Sequence, residues 1–222
     1  MDLERFLRLP LMGILRGGSV TDLEPLLEAA SDAGLETLEI TLNTTDGLAM
    51  IRRAREIAGE RLMIGAGTVL SAEQVSAATA AGASFVVSPV LIGEVMEACR
   101  NRAIPVFPGA LTPLEIFTAA NAGAAMVKVF PASAFGPGYL RELRGPFGDV
   151  ALLACGGVRP ENCADYFAAG ARAVAFGASV FSVARFAARD YEAMRRDVAA
   201  LVAATRSASG TRAQPAQATV NR

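Results

Sequence analysis

The feature that most constrains this chain is an alternation kept up along nearly its whole length: short apolar runs, each followed by a helix-like stretch. The apolar runs fall at 11–17, 37–43, 62–69, 85–89, 104–110, 126–131, 150–157 and 173–179. Between and after them lie stretches with helical periodicity at 21–34, 46–59, 71–82, 92–103, 112–123, 137–144, 160–170 and from 181 to about 206. Thr21 and Ser71 stand where helix N-caps belong, and Thr112-Pro113 offers a cap followed by a first-turn proline. Ala33-Gly34, Ala81-Gly82, Ala122-Gly123 and Ala169-Gly170 each close a helix and lead into the next apolar run. Parallel strands need helical crossovers, so eight repeats of about 25 residues predict a parallel α/β sheet. Eight units at this length favour closure into a single-domain (β/α)8 TIM barrel, with a doubly wound open sheet as the alternative.

The chain has 222 residues, 52% of them apolar, enough for one large core. Residues 1–206 are therefore expected to form the barrel. Residues 207–222 lose the apolar periodicity and read as a disordered tail. Basic and acidic residues nearly balance, 21 against 22, and no basic cluster stands out, so no nucleic-acid partner is expected. Charged residues interrupt every apolar stretch before membrane-spanning length, and the start lacks the order of a signal peptide. Cys99, Cys155 and Cys163 show no metal or disulfide spacing and fit reduced thiols. The expected location is cytoplasmic.

Two scarcities narrow the chemistry. The sequence has no histidine, which removes imidazole-based triads and the usual ligands of catalytic zinc. No metal site is expected. Lys128 is the sole lysine among 21 basic residues.

In this fold the active site lies at the C-terminal ends of the strands. Side chains alternate along a strand. Lys128 shares a face with Met126 and Phe130, while Val127 and Val129 suit packing against helices, so Lys128 points into the barrel. Glu39 points inward with Thr37 and Thr41, opposite Leu38 and Ile40. Arg16 follows Met12 and Ile14 inward, and Thr68 ends the third strand at the mouth. A core salt bridge would also place Lys128 and Glu39 inside, but desolvation makes such pairs poor stabilisers. Low-dielectric surroundings favour a neutral, nucleophilic lysine; a neighbouring carboxylate opposes that shift and supplies a proton carrier. Arg16 as a solvated strand end and Thr68 as a locally bonded hydroxyl are the plainer alternatives. Gly156 and Gly157 follow strand seven, and Gly177, with Ser179 close behind, follows strand eight. These two loops are the common phosphate site of the fold, and glycine lets backbone N–H groups close on an anion. Gly65-Ala66-Gly67 lacks the third glycine of a dinucleotide fingerprint.

Taken together, the segments Gly13-Ile14-Leu15-Arg16-Gly17, Leu38-Glu39-Ile40, Ile64-Gly65-Ala66-Gly67-Thr68-Val69, Ser88-Pro89, Pro108-Gly109, Lys128-Val129-Phe130-Pro131, Gly156-Gly157-Val158 and Gly177 resemble the 2-keto-3-deoxy-6-phosphogluconate / 6-phosphogalactonate aldolases over about residues 3–204. The resemblance implies a (β/α)8 barrel, a homotrimer, no cofactor, and class I cleavage of a small phosphorylated 2-keto acid to pyruvate and a triose phosphate. It implies Lys128 as the Schiff-base lysine and Glu39 as the proton carrier. It implies substrate contacts at Arg16, Thr68, Pro89, Cys155, Gly156, Gly157, Gly177 and Ser179. The chain departs from the family in having Ala178 after Gly177, with serine one place later. Arg16 on strand one, Leu42-Asn43, Cys155 and the run Ser133-Ala134-Phe135-Gly136-Pro137 resemble the galactonate branch, whereas Gly177-Ala178-Ser179 leans to the gluconate branch. The alternatives are a gluconate aldolase, with or without 4-hydroxy-2-oxoglutarate activity, a phosphate-binding barrel isomerase or synthase of the thiamine-phosphate or indole-glycerol-phosphate type, and a non-catalytic binding protein.

Overall fold

The computed structural model describes residues 1–210. The chain runs α1 (Leu3–Arg8), β1 (Leu11–Leu15), α2 (Leu23–Asp32), β2 (Thr37–Thr41), α3 (Gly47–Ala58), β3 (Met63–Gly67), α4 (Ala72–Ala80), β4 (Val86–Ser88), α5 (Gly93–Asn101), β5 (Val106–Ala110), α6 (Pro113–Asn121), β6 (Val127–Val129), α7 (Gly136–Leu143), β7 (Leu152–Cys155), α8 (Pro160–Ala168), β8 (Ala173–Phe176), α9 (Val183–Ala188) and α10 (Tyr191–Gly210). The strands pair in sequence order and β8 returns to β1, closing a parallel barrel. The open-sheet alternative is excluded.

Strand alternation sorts the apolar residues into two shells. The outward set, including Leu38, Ile40, Val127 and Val129, packs under the helices. The inward set, Met12, Met63, Phe85, Phe107, Met126 and Leu153 among them, fills the barrel itself. Gly65 belongs to the inward face of β3 because a Cβ there would stand 2.4 Å from the Phe85 ring. Aromatic rings then stack through the lower barrel, with Phe85 and Phe107 edge to face at 5.9 Å.

Four features differ from the sequence reading. First, α1 was not expected: it is short, and only Phe6 and the terminal leucines mark it. Phe6 is fully buried and meets Phe107 edge to face at 6.0 Å, so α1 plugs the N-terminal end of the barrel. Arg5 ties it down through Glu36 at 2.8 Å and the carbonyls of Glu60 and Arg61. Second, Ser19 rather than Thr21 begins the turn into α2, with Asp22 accepting from the Ser19 amide and hydroxyl. The caps at Ser71 and Thr112 form as expected. Third, the final helical stretch breaks at Arg189, which adopts a left-handed backbone, into α9 and α10. Fourth, α10 continues to Gly210, because Ala208 still packs on the core and the Ser209 hydroxyl donates to the Thr205 carbonyl. Residues 207–210 of the expected tail are thus helical, and 211–222 lie outside the described residues.

Candidate active site

The C-terminal ends of the strands open into a cavity of about 840 Å³, within the ordinary range for a small-molecule site. Ile14, Arg16, Lys128, Phe130, Cys155 and the Gly156-Gly157 and Gly177-Ala178-Ser179 segments are among its lining residues. The structure therefore brings together Arg16, Lys128, Cys155, Gly156, Gly157, Gly177 and Ser179, as the sequence suggested.

Lys128 sits mid-strand on β6, paired with Gly109 of β5 and Leu153 of β7. It is 5% exposed, and its ammonium lies 5.3 Å from the centre of the Phe130 ring. Phe130 shares its face and packs against the head group, a favourable cation–π position. Cys155, two residues beyond Leu153 on β7, lines the same cavity as Lys128 and acts electrostatically on its head group. Burial pushes this thiol up to about 11, so it remains protonated at neutral pH.

Glu39 lies beneath the mouth, 1% exposed, and does not line the cavity wall. Its carboxylate occupies the space left by Gly67: a Cβ on that residue would stand 1.7 Å from Glu39 Oε1. Neither carboxylate oxygen has a hydrogen-bond partner among the described residues. Burial raises the Glu39 pKa above the ordinary carboxylate value, against the opposing pull of Lys128 and Arg16. For Lys128 burial acts most strongly and lowers the pKa, but Glu39, with Cys155 behind it, outweighs burial and the net direction is up. The resting lysine is thus held as an ammonium, not as the neutral amine that low-dielectric surroundings alone would favour. No contact ion pair joins the two side chains among the described residues, so the simple core salt bridge is not formed.

Directly after β7, the strand next to that of Lys128, Gly156 and Gly157 adopt φ of 103° and 74° in succession, a backbone closed to L side chains in series. A Cβ on Gly157 would also stand 2.7 Å from the Ser133 side chain. The bend lets the β7–α8 turn fold over the cavity. The Ser179 hydroxyl donates to the Val158 carbonyl at 3.1 Å, which fastens the two glycine loops to each other. Its proton is committed there.

Two expected contacts are not gathered. Pro89 lines a separate cleft with Val90, Leu91, Leu114 and the far side of Phe130, because its carbonyl closes onto Gly109, where a Cβ would stand 1.9 Å away. Thr68 lines neither opening; it follows Gly67 with a φ of 55°, a rare backbone for a β-branched residue and one that concentrates at functional sites. Sequence reasoning missed Arg159, which lines the cavity at the start of α8, and Thr44, whose hydroxyl accepts from the Gly17 amide at 3.0 Å and fixes the loop after Arg16. Arg159 carries one legible signal: it precedes Pro160, where a capping residue belongs. No group of three or more Cys, Asp or Glu side chains is placed to hold a metal among the described residues, and no described helix is long and apolar enough to cross a membrane.

The family model for KDPG and KHG aldolases matches residues 3–196. The chain belongs to this family. It is 37% identical over 202 residues to the 2-dehydro-3-deoxy-6-phosphogalactonate aldolase of Escherichia coli K12, covering 90% of this chain and 97% of that one. It is 43% identical over 150 residues to the 2-dehydro-3-deoxy-phosphogluconate aldolase of Pseudomonas aeruginosa PAO1, covering 66% and 67%. A solved structure described as native KDPGal superimposes with a TM-score of 0.85 at 36% identity, over 91% of this chain and 97% of that one. As a member of this aldolase family, the chain is a carbon–carbon lyase on a (β/α)8 barrel.

Proposed function

We propose that this protein cleaves 2-keto-3-deoxy-6-phosphogalactonate to pyruvate and D-glyceraldehyde 3-phosphate through an imine on Lys128. The observation that carries the proposal is the arrangement of the sole lysine, buried at the cavity floor, within electrostatic reach of an equally buried Glu39. Passing one proton from the ammonium to the carboxylate removes both charges from a low-dielectric site. It also produces the two forms the reaction needs, a neutral amine and a carboxylic acid.

The amine adds to the C2 ketone to give a carbinolamine, and the Glu39 acid supplies the proton with which the oxygen leaves as water. The resulting carboxylate takes the C4 hydroxyl proton as the C3–C4 bond breaks, and the bonding electrons flow into the iminium to form an enamine. Glyceraldehyde 3-phosphate departs; Glu39 protonates C3; water hydrolyses the imine, releasing pyruvate and restoring Lys128. The iminium is the electron sink, so the scheme calls for neither cofactor nor metal. Arg16 suits the substrate carboxylate. Gly156, Gly157 and Gly177 offer backbone donors to the phosphate, while Ser179 braces the loops. Thr68 is assigned to help hold the substrate carboxylate and Pro89 to a substrate contact, as the family resemblance implies.

The galactonate epimer is preferred on three grounds: the relative matched over nearly its whole length, Arg16 at the end of β1, and Cys155 beside Lys128. A thiol is a weak donor, so Cys155 resembles an apolar wall more than a hydroxyl near the reacting carbons. The gluconate alternative retains support from the more identical but shorter match. One hydrogen bond to a hydroxyl contributes only ~0.5–1.5 kcal/mol, so the expected outcome is preference and not exclusion. The test is kcat/KM on both epimers with wild type and Cys155→Thr. A wild-type preference for the gluconate, or no movement towards it in Cys155→Thr, contradicts the assignment.

The proposal includes a homotrimer and a cytoplasmic location. Leu114 and Phe117 on α6 are 74% and 51% exposed, and Leu114 shares a cleft with the exposed Val90; apolar side chains grouped in this way suit a subunit interface. Three free, buried thiols suit a reducing compartment.

A further inference from the structure

Two arginines line the cavity, Arg16 after β1 and Arg159 at the start of α8. Their electrostatic reach differs. Arg16 acts on Glu39, Lys128 and Cys155, whereas Arg159 is not among the charges that act on any of the three. Arg16 thus faces the Lys128 end of the cavity, while Arg159, two residues beyond Gly157 at the N-cap of α8, stands at the wall formed by the glycine loops.

Arg159 is also in the wrong place for a helix. It occupies the N-cap of α8, a position that favours Ser, Thr, Asn or Asp because a side-chain oxygen accepts from the free first-turn amides. A guanidinium has donors and no acceptor, and its side chain makes no cap bond. Its charge adds to the positive end of the helix dipole. The caps at Ser71, Thr112 and Ser182 obey the rule. No carboxylate lies within ion-pair distance of Arg159 among the described residues. Asn162 makes good part of the loss: its side-chain oxygen accepts from the Arg159 amide at 2.8 Å and its nitrogen donates to the Gly157 carbonyl at 2.9 Å. Those bonds fix the backbone from which the guanidinium projects. A local rule broken without a structural return points to a function served there.

We infer that Arg159 is a specificity-determining residue that recognises the dianionic phosphate at the far end of the substrate. The inference rests on the aldolase reading. Backbone amides alone accept many anions; a guanidinium on a fixed turn adds a two-pronged donor that matches a phosphoryl group and offers nothing to a neutral hydroxymethyl.

The test uses Arg159→Asn, which restores a good cap, and the condensation of pyruvate with D-glyceraldehyde 3-phosphate or with unphosphorylated D-glyceraldehyde. The ratio of kcat/KM for the phosphorylated over the plain aldehyde should fall about ten- to a hundredfold, the range for a lost charge-assisted hydrogen bond. The melting temperature should rise, because the cap is repaired. Arg159→Lys, which keeps a point charge, should retain a ratio between the two. A wild type that condenses pyruvate with neither aldehyde overturns the aldolase reading and this inference with it. An active wild type whose ratio is unchanged in Arg159→Asn overturns this inference alone, as does an equal loss on both aldehydes.

Discussion

Glu39 holds an uncomfortable position at the heart of the barrel. Its carboxylate is buried without a hydrogen-bond partner among the described residues, and burial raises its pKa. The sign for stability follows. A carboxyl whose folded pKa lies above its unfolded value contributes stability that is fully present below the unfolded pKa and lost as pH rises through the folded one. On the proposed mechanism the carboxylate form takes the C4 hydroxyl proton, so the acid limb of the kcat/KM profile should lie above the ordinary Glu value of ~4.3. Glu39→Gln should lose ~10²–10⁴-fold in turnover, flatten that limb, and remove the pH-dependent loss of stability. Rate profiles and melting curves across pH check this together; a Glu39→Gln enzyme within about threefold of wild type places the proton carrier elsewhere. Strand alternation made Lys128, Glu39 and Arg16 legible in the sequence. It did not reveal the partner of Glu39, which is a space: the missing Cβ of Gly67. Gly65-Ala66-Gly67 was recognisable as a motif, but its purpose, room for Phe85 and for the Glu39 carboxylate, arises from packing between strands that local sequence does not display.

At the scale of elements, the eight strand–helix units were legible because the strands keep a period of two and four of the helices close at an Ala-Gly pair. All four of the Ala-Gly glycines adopt positive φ. The plug helix α1 was not legible, since a six-residue helix shows less than two turns of periodicity. Its importance lies in one side chain. Phe6 closes the lower barrel against Phe107, and removing a buried phenylalanine typically costs 3–5 kcal/mol, about. Phe6→Ala should lower the unfolding free energy by about that amount while leaving kcat near wild type, because the plug is at the end of the barrel opposite the cavity. Denaturant unfolding beside steady-state kinetics checks it; a loss of turnover without a loss of stability would show that α1 reaches the site. Thr68 and Pro89, whose contacts the family resemblance implied, do not line the main cavity: Thr68 takes a φ of 55° just past β3, and Pro89 lines the neighbouring cleft.

Across the whole molecule, the barrel separates stability from chemistry. The aromatic layer and α1 fill the lower half, and the upper half carries a buried lysine, an unpartnered carboxylate and two consecutive left-handed glycines. The buried lysine and carboxylate cost stability, and the proposed imine chemistry gives both a use; the glycines shape the turn proposed to hold the phosphate. The most direct test of that account is mass spectrometry of the protein reduced with borohydride in the presence of pyruvate. One pyruvate-derived mass should appear, on the peptide that carries Lys128, and it should be absent in Lys128→Arg, whose guanidinium stays charged and cannot attack a ketone. An unmodified Lys128 peptide in an enzyme that still cleaves its substrate, or full activity in Lys128→Arg, would contradict it.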